Sequence, residues 1–238
     1  TDEDSGETLQ YGLEISPAVE IWSSFVWQNH GQLAGEDGTW TLTDPQFAQS
    51  NQQAIEFYAD LVREHHVAPP PSKIKTTGTG EEFFINKKAA MIFAQRDLGA
   101  RLKNEARFDW DIAPLPRGQE AASWLEVEGY AISTRTRQPQ EAWKLISFLT
   151  GETSQAARIL EGRRAPSRWS LLASKIFLDF PGSHPIHSAA LSESLAFAKL
   201  PPSISYWDKV AHVFTEEMLL LMSDPRISAR STLERMQA

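Results

Sequence analysis

Apolar side chains follow two different spacings in the first part of the chain, and each spacing predicts a different element. Residues 9–15 alternate between apolar and polar side chains, which is typical of a short strand. After Ser16-Pro17 and again after Asp44-Pro45, apolar residues recur every three or four positions, which predicts two amphipathic helices. The predicted buried faces carry Val19, Trp22, Val26 and Trp27 in the first helix, and Phe47, Ala54, Ile55, Tyr58, Leu61 and Val62 in the second.

Helices and strands continue to alternate through the middle of the chain, and then only helices follow. The apolar run at 89–94 predicts a buried strand, and the patterns at 108–112 and 124–133 predict two further strands. Helical spacing predicts helices at 81–86, 98–106, 139–149, 153–161, 167–177, 187–198, 205–222 and 226–236. Strands mixed with helices, followed by helices alone, indicate an α/β chain with a helical tail.

Composition narrows the classes of function. The 238 residues are 41% hydrophobic and include 8 Trp, which indicates a large core and argues against disorder. A net charge of −8 without long basic runs argues against a nucleic-acid partner. The absence of Cys excludes cysteine-ligated metals, disulfides and thiol catalysis. Since no phosphate-binding, dinucleotide-binding or metal-ligand motif is present, we expect no cofactor and no metal.

Five segments resemble, in the same order, segments of one known family. They lie at 43–61, 84–91, 108–116, 128–149 and 162–166. The second reads Phe-Ile-Asn-Lys-Lys-Ala-Ala-Met, and the third reads Phe-Asp-Trp-Asp-Ile-Ala-Pro-Leu-Pro. Together these segments are similar to bacterial extracellular solute-binding proteins of the maltodextrin-binding type.

The sequence departs from that family in three places. Asn86 stands where the family usually has Gly, and the residues after Met91 lack the Gly and Trp common in relatives, which puts the usual stacking contact there in question. The family also carries a signal peptide and about 100–150 further residues, one lobe, before the strand at 9–15. The first residues here are acidic and polar, so either the protein is cytosolic or the sequence begins inside a longer precursor.

The resemblance implies a fold, a function and a location. It implies an α/β, periplasmic-binding-protein-like two-lobe fold, here mainly the C-terminal lobe: its first part at 1–113, a segment returning to the N-terminal lobe at 114–150, and its helical second part at 151–238. It implies the substrate-binding component of an ABC importer, which closes on a sugar or oligosaccharide and delivers it to the permease subunits in the membrane. It implies a periplasmic or extracellular, membrane-associated protein. A ligand-sensing module that acts on a kinase is a third class that the sequence leaves open.

The candidate ligand contacts combine aromatic rings with planar polar groups, the chemistry that a sugar requires. Trp22, Tyr206 and Trp207 stand where aromatic residues of the family line the cleft, although each could belong to the core; Trp27, Trp110 and Trp143 are predicted core residues. The polar candidates are Gln95, Arg96 and Asp97 directly after a predicted strand, and Arg164 and Arg168 around Pro166; a solvated turn is the alternative for both groups.

Glu126 and Glu128 are two residues apart on a predicted strand, so both carboxylates would point to one face. Paired carboxylates can hydrolyse a glycosidic bond, which makes a glycoside hydrolase the alternative function. Binding of sugar hydroxyls is the favoured interpretation, because no positioned catalytic partner is evident nearby. We therefore do not predict an enzyme.

The resemblance also predicts a consequence of the absent lobe. The predicted strand at 127–133 and the helix at 139–149 would lack the sheet that they normally join. That helix carries Trp143, Ile146, Phe148 and Leu149, an apolar set that normally finds a partner. We expect this segment to associate with a second chain or to belong to a longer protein, and we expect the 238 residues alone to bind sugar poorly.

Overall fold

The computed structural model describes residues 8–161, 165–178 and 187–238. Its strands are β1 (Tyr11–Glu14), β2 (Ala89–Ile92), β3 (Ser123–Trp124) and β4 (Ala198–Lys199). Its α-helices are α1 (Val19–Gln28), α2 (Ala48–Arg63), α3 (Pro71–Thr77), α4 (Gly80–Ile85), α5 (Leu98–Glu105), α6 (Pro139–Leu149), α7 (Glu152–Leu160), α8 (Trp169–Leu172), α9 (Lys175–Leu178), α10 (Ala189–Ser194), α11 (Trp207–Ser223) and α12 (Ala229–Gln237). Within these ranges, no helix combines the length and the apolar run that a membrane span needs.

The chain divides into two structural units. Unit 1 comprises 1–93, 115–125 and 197–238, and unit 2 comprises 94–114 and 126–196. The division at 114/115 lies one residue from the predicted boundary at 113, whereas no division lies near the predicted boundary at 150. The assignment of 1–113, 114–150 and 151–238 to lobes of a longer protein stays a prediction.

Unit 1 contains two short parallel strand pairs. β1 pairs with β2, with Tyr11 opposite Ala89 and Leu13 opposite Met91. β3 pairs with β4, with Trp124 opposite Lys199. Parallel pairing requires a crossover between the strands, and α1 to α4 lie between β1 and β2 in the chain.

The core of unit 1 forms where α2 packs against α1, α11 and α12. The predicted faces of α1 and α2 are buried there: Trp22, Val26, Ile55 and Tyr58 are within the core. Trp22 packs against Phe214 of α11, with ring centroids 6.0 Å apart. The 3.6-residue spacing therefore identified both faces correctly, because the buried stripe of each helix faces a neighbouring helix.

Polar contacts at helix ends define several element boundaries. Thr79 and Glu82 form a capping box at the start of α4, in which the Thr79 side chain accepts from the Glu82 N–H. Arg63, in the last turn of α2, donates to the carbonyl oxygens of Leu221 and Ile227, so α2 is tied to the end of α11. The N-cap of α1 is Ala18, and Ser16 Oγ, two residues before it, accepts from the Ala18 N–H at 3.2 Å.

Unit 2 is built largely from short helices. Its core includes Ile159 of α7, Leu171 and Leu172 of α8, and Phe177 of α9. No residue of α6 is buried, although the helix forms over the predicted residues. The prediction that Trp143 is a core residue is wrong: 60% of its surface is exposed.

Three of the predicted strands differ from the structure. Residues 108–112 are irregular, and the strand expected at 124–133 is limited to Ser123–Trp124. β2 forms as predicted but is not fully buried, since Met91 is 59% exposed. Alternation of apolar and polar residues describes a strand only when a neighbouring strand supplies hydrogen bonds, and among the described residues none pairs with 108–112.

Candidate ligand-binding site

Four tryptophan residues from separate parts of the chain form an aromatic array in unit 1. Trp124 of β3 stacks on Trp27 of α1 with a centroid distance of 5.6 Å, and on Trp207, the first residue of α11, at 5.7 Å. Trp207 in turn contacts Trp40 at 6.4 Å. Each ring is supplied by a different element, so the array exists only because α1, β3 and α11 converge.

The array is buried at one end and partly exposed at the other. Trp27 is 6% exposed, whereas Trp40, Trp124 and Trp207 are half-buried. Tyr206, just before α11, is 49% exposed. Half-buried indoles combine an anchored ring with accessible apolar surface, which is the arrangement that stacks on a flat apolar ligand surface.

Polar groups accompany the array in the same unit. Lys199, opposite Trp124 in the β3–β4 pair, forms an ion pair with Glu120 at 3.1 Å. Glu120 Oε2 also lies 3.8 Å from His30 Nδ1. Gln28 Nε2 donates to the Ala122 carbonyl oxygen at 2.9 Å, which ties the end of α1 to the segment that leads into β3. These contacts hold Trp124 in register with Trp27 on α1.

Trp22 is the predicted aromatic contact that the structure places elsewhere. It has no exposed surface, and its ring lies in the core against Phe214. Its Nε1 has no hydrogen-bond acceptor among the described residues. Since a ring without exposed surface cannot stack on a ligand, Trp22 as a ligand contact is corrected to Trp22 as a core residue.

Two neighbouring polar residues that were predicted as ligand contacts, Gln95 and Arg96, make separate contacts within unit 2. Gln95 Nε2 donates to Glu126 Oε2 at 2.8 Å. The Arg96 guanidinium lies over the Phe177 ring at 4.7 Å, and burial lowers its pKa from the ordinary value. Asp97 is exposed at the N-cap of α5, but its side chain makes no capping hydrogen bond. The adjacent Gln95 and Arg96 are therefore held by different partners within unit 2.

The pairing of Glu126 with Glu128 rested on a strand that the structure lacks. Both residues are exposed and lie in irregular chain after β3 ends at Trp124. The two-residue spacing puts side chains on one face only in a strand, so the argument for a shared face does not apply. The carboxylate of Glu126 is instead bound by Gln95.

Of the two predicted arginines around Pro166, the structure describes Arg168. Arg168 is exposed at the N-cap of α8, and its Nε donates to the Thr150 carbonyl oxygen at 2.9 Å. This contact leaves the rest of its guanidinium at the surface. Arg164 lies outside the described residues.

Sequence reasoning missed Trp40 and Trp124, which complete the array around Trp207. Trp124 was available as the first residue of a predicted strand. The residues of the array lie far apart in the sequence, so the convergence of Trp40 and Trp124 with Trp207 was invisible without the tertiary structure. The signal that could have found them was the excess of Trp itself, with 8 in the chain.

A separate cavity of about 380 Å³ lies in unit 2, beside α5. Phe108, Asp109 and Trp110 form one wall, and Leu102 and Arg107 are also at its surface. None of the predicted site residues lines it. Within the described ranges, no three His, Asp or Glu side chains are grouped as a metal site would require.

Comparisons with known proteins identify the relatives of this chain. It is similar in structure to an ABC substrate-binding protein from Listeria monocytogenes in complex with cycloalternan (20% identity, TM-score 0.81, 100% of this chain and 58% of that one). It is also similar to the maltose-maltodextrin binding protein of Alicyclobacillus acidocaldarius (17%, 0.78, 95% and 60%) and to a Mycobacterium tuberculosis protein in complex with glycerophosphocholine (18%, 0.75, 97% and 57%).

These likenesses establish the fold, a periplasmic-binding-protein-like α/β fold, and confirm the predicted fold class. The chain spans less than two thirds of the length of each of these proteins. No curated protein matches it significantly. The family model for bacterial extracellular solute-binding proteins matches residues 15–156, more than half of the chain. The protein therefore belongs to the bacterial extracellular solute-binding protein family.

Proposed function

We propose that this protein is part of the substrate-binding component of an ABC importer and that its ligand is a sugar or oligosaccharide. The observation that carries the proposal is the partly exposed array of Trp40, Trp124 and Trp207 in unit 1. Family membership supports binding of a solute, and the array supports a ligand with flat apolar faces.

A pyranose ring suits such an array because one or both of its faces present C–H groups while its edges carry hydroxyls. The C–H face stacks on an indole, and the hydroxyls need polar partners at its rim. Glu120 and Lys199, paired at 3.1 Å in the same unit, supply an acceptor and a donor. Tyr206, exposed before α11, adds a further ring and a hydroxyl.

We propose the polar residues of unit 2 as ligand contacts because of the chemistry of their side chains. Gln95 and Arg96 are planar hydrogen-bonding groups, and both are held by contacts within unit 2. Asp97, Glu128 and Arg168 are exposed. Glu126 offers a carboxylate oriented by Gln95. A mixture of acidic and basic groups favours a neutral ligand over an anionic one.

We also propose that the protein delivers its ligand to the permease. The partners would be the membrane subunits of the importer, and the location would be periplasmic or extracellular with membrane association. We propose no nucleic-acid partner, in keeping with the net charge of −8.

One side of α6 exposes large apolar side chains. Trp143, Leu145 and Phe148 are 60%, 57% and 67% exposed. We propose that a further α/β lobe covers α6, since the similar structures are longer than this chain, and that without such a lobe the chain associates with itself. On this proposal the 238 residues alone bind sugar weakly.

The test is a titration of the 238-residue chain, and of the longest polypeptide that its gene encodes, with maltose, maltotriose, cycloalternan and glycerophosphocholine. Stacking of a sugar on the array should change tryptophan fluorescence, and calorimetry measures the affinity. We expect saturable binding of at least one of the three sugars by the longer polypeptide. Binding of glycerophosphocholine alone, or of none of the four, would refute the sugar assignment.

The alternative function is a glycoside hydrolase that uses Glu126 and Glu128. It required a strand that aligns the two carboxylates, and residues 126–128 do not form one. Family membership also supports binding over catalysis. A chromogenic glycoside assay discriminates between the two: we expect no turnover, and turnover abolished by Glu126→Gln would establish the enzyme.

A further inference from the structure

A carboxyl group is buried at the end of β1. Glu14 is 4% exposed. Among the described residues, none donates a hydrogen bond to its carboxyl oxygens or forms an ion pair with them. An ionised carboxylate in such a position costs several kcal/mol, so the group is driven toward its neutral form.

The surroundings of Glu14 come from α2, α4 and β2. The first residue of α4 closes over the carboxyl: a Cβ on Gly80 would lie 2.3 Å from Glu14 Oε1. Glu81 of α4 adds negative charge, and Tyr58 of α2 directs its hydroxyl to the Ser16 carbonyl oxygen at 2.7 Å. β2 carries only Ala, Met and Ile.

In the part of the chain that the structure describes, no positive charge lowers the pKa of Glu14. On α3, the Lys73 ammonium lies over the ring of Tyr11, at the other end of β1, 5.4 Å from its centroid. Burial, followed by repulsion from Glu81, raises the pKa of Glu14 from an ordinary value of 4.5 to about 7. Burial is the largest cause of the raised pKa of Tyr58, and the charge of Glu14 raises it further.

We propose that Glu14 makes the contact between β1 and α4 dependent on pH: the neutral acid permits α4 to close over the end of β1, and the carboxylate opens this contact. Gly80 lies close to the carboxyl, and Glu14 is only 4% exposed, so little water reaches the group while α4 is in place. An ionised Glu14 gains fuller hydration if α4 moves away. α4 has six residues and is too short to be stable without this packing.

The direction of the pH effect follows from the raised pKa. The closed contact holds the proton more tightly than the open one, so its full stability is present below pH 4.5. Stability is lost progressively as the pH rises to about 7, and it is constant above that value. Residues 80–92, which continue from α4 into β2, are the segment that should respond.

The experiment measures amide hydrogen exchange of peptides spanning 80–92 in the wild-type chain and in Glu14→Gln, a neutral side chain of the same shape. Comparison of the two proteins at the same pH cancels the intrinsic pH dependence of exchange. The ratio of the opening constants, wild type over variant, should rise on the order of 30-fold between pH 5.5 and pH 8. Glu36→Gln, at an exposed acid, is the matched control and should leave the ratio unchanged.

A second variant keeps the proposal falsifiable if Glu14→Gln folds poorly. Glu81→Gln removes the repulsion and so lowers the pKa of Glu14 in the closed contact. The pH range over which 80–92 opens should then end at a lower pH, and the rise between pH 5.5 and pH 8 should become smaller. A ratio that stays constant with pH would overturn the proposal. An equal rise in peptides from α12 would overturn it too, because the effect would then belong to the whole fold. No ligand is needed, so the outcome is independent of the proposed function.

Discussion

The two units differ in how completely they bury their apolar side chains. In unit 1, residues such as Trp22, Tyr58 and Phe214 are at most 1% exposed within a core shared by four helices. In unit 2, Trp143, Phe148 and Trp169 are 60% or more exposed. Unit 1 therefore forms its own core, whereas unit 2 carries apolar surface that its own helices do not cover.

The difference shows that an amphipathic helix does not by itself specify what it packs against. α1 and α6 both have apolar residues at helical spacing, and both form as predicted. α1 is buried because α2 and α11 lie against it. Among the described elements, the main contact of α6 is with α7, and none of its residues is buried. Local pattern determined the helix, and the neighbours determined its burial.

The largest expected effect tests the core of unit 1. Trp22→Ala should lower the free energy of unfolding by about 3–5 kcal/mol, because it leaves a large cavity in a close-packed region. Trp169→Ala, at a side chain 74% exposed, should change it by less than about 0.5 kcal/mol. Urea unfolding followed by circular dichroism measures both. Similar losses in the two variants would contradict the difference between the units.

Arg96 tests the contribution of unit 2 to ligand binding. Arg96→Ala should weaken sugar binding by about 1.5–3 kcal/mol, since a charged donor is lost from a partly desolvated position. Arg168→Ala, with a more exposed guanidinium, should have a smaller effect. Calorimetry on the longest polypeptide that the gene encodes gives the affinities, and circular dichroism confirms folding. Equal, unchanged affinities would remove Arg96 from the site.

Trp207 tests the contribution of unit 1. Trp207→Ala should weaken sugar binding by about 1–3 kcal/mol, the cost of removing one packed aromatic anchor. Trp207→Phe keeps a ring and should recover part of the loss. The same calorimetry applies, with Trp169→Ala as a control that removes a tryptophan elsewhere. An unchanged dissociation constant in a folded variant would exclude the array as the binding surface.

The ion pair of Asp111 with His187 tests a polar contact in unit 2. Burial alone would raise the pKa of Asp111, but hydrogen bonds from the His187 backbone and ring and the Ile112 N–H lower it to about 2. The stability that this contact adds is present above the unfolded pKa of 3.8 and is lost as the pH falls toward 2.

Asp111→Asn should therefore destabilise the protein by less than about 1 kcal/mol at pH 7, since solvent screens the pair, and the difference should vanish near pH 2. Thermal unfolding at pH 7, 4 and 2.5 measures it. A difference that grows on acidification would contradict the assigned sign.

The smallest expected effect on stability concerns α6. Phe148→Ser should change the free energy of unfolding by less than about 0.5 kcal/mol, because the side chain is 67% exposed. Light scattering should show less self-association of the 238-residue chain. A large loss of stability in a monomeric variant would mean that unit 2 buries Phe148 after all.

The sequence predicted α1, α2 and α11 well because each has an apolar stripe that ends at a breaker. It failed at 108–112 and 126–133, where alternating residues have no strand to pair with among the described elements. In the candidate site it named Trp207, Gln95 and Arg96, which stay predicted ligand contacts. It wrongly included Trp22, because both cleft residues and core residues occur just after a strand.

What the sequence by itself determined is most of the longer helices, the family and the kind of chemistry available to bind a solute. Helix formation depends on neighbours three and four residues apart, and the family is carried by short ordered segments; both are local properties. The tertiary structure decided that Trp27, Trp40, Trp124 and Trp207 meet in one array and that Glu14 is buried beneath Gly80. These contacts join residues far apart in the chain, and only the packing of whole elements brings such residues together.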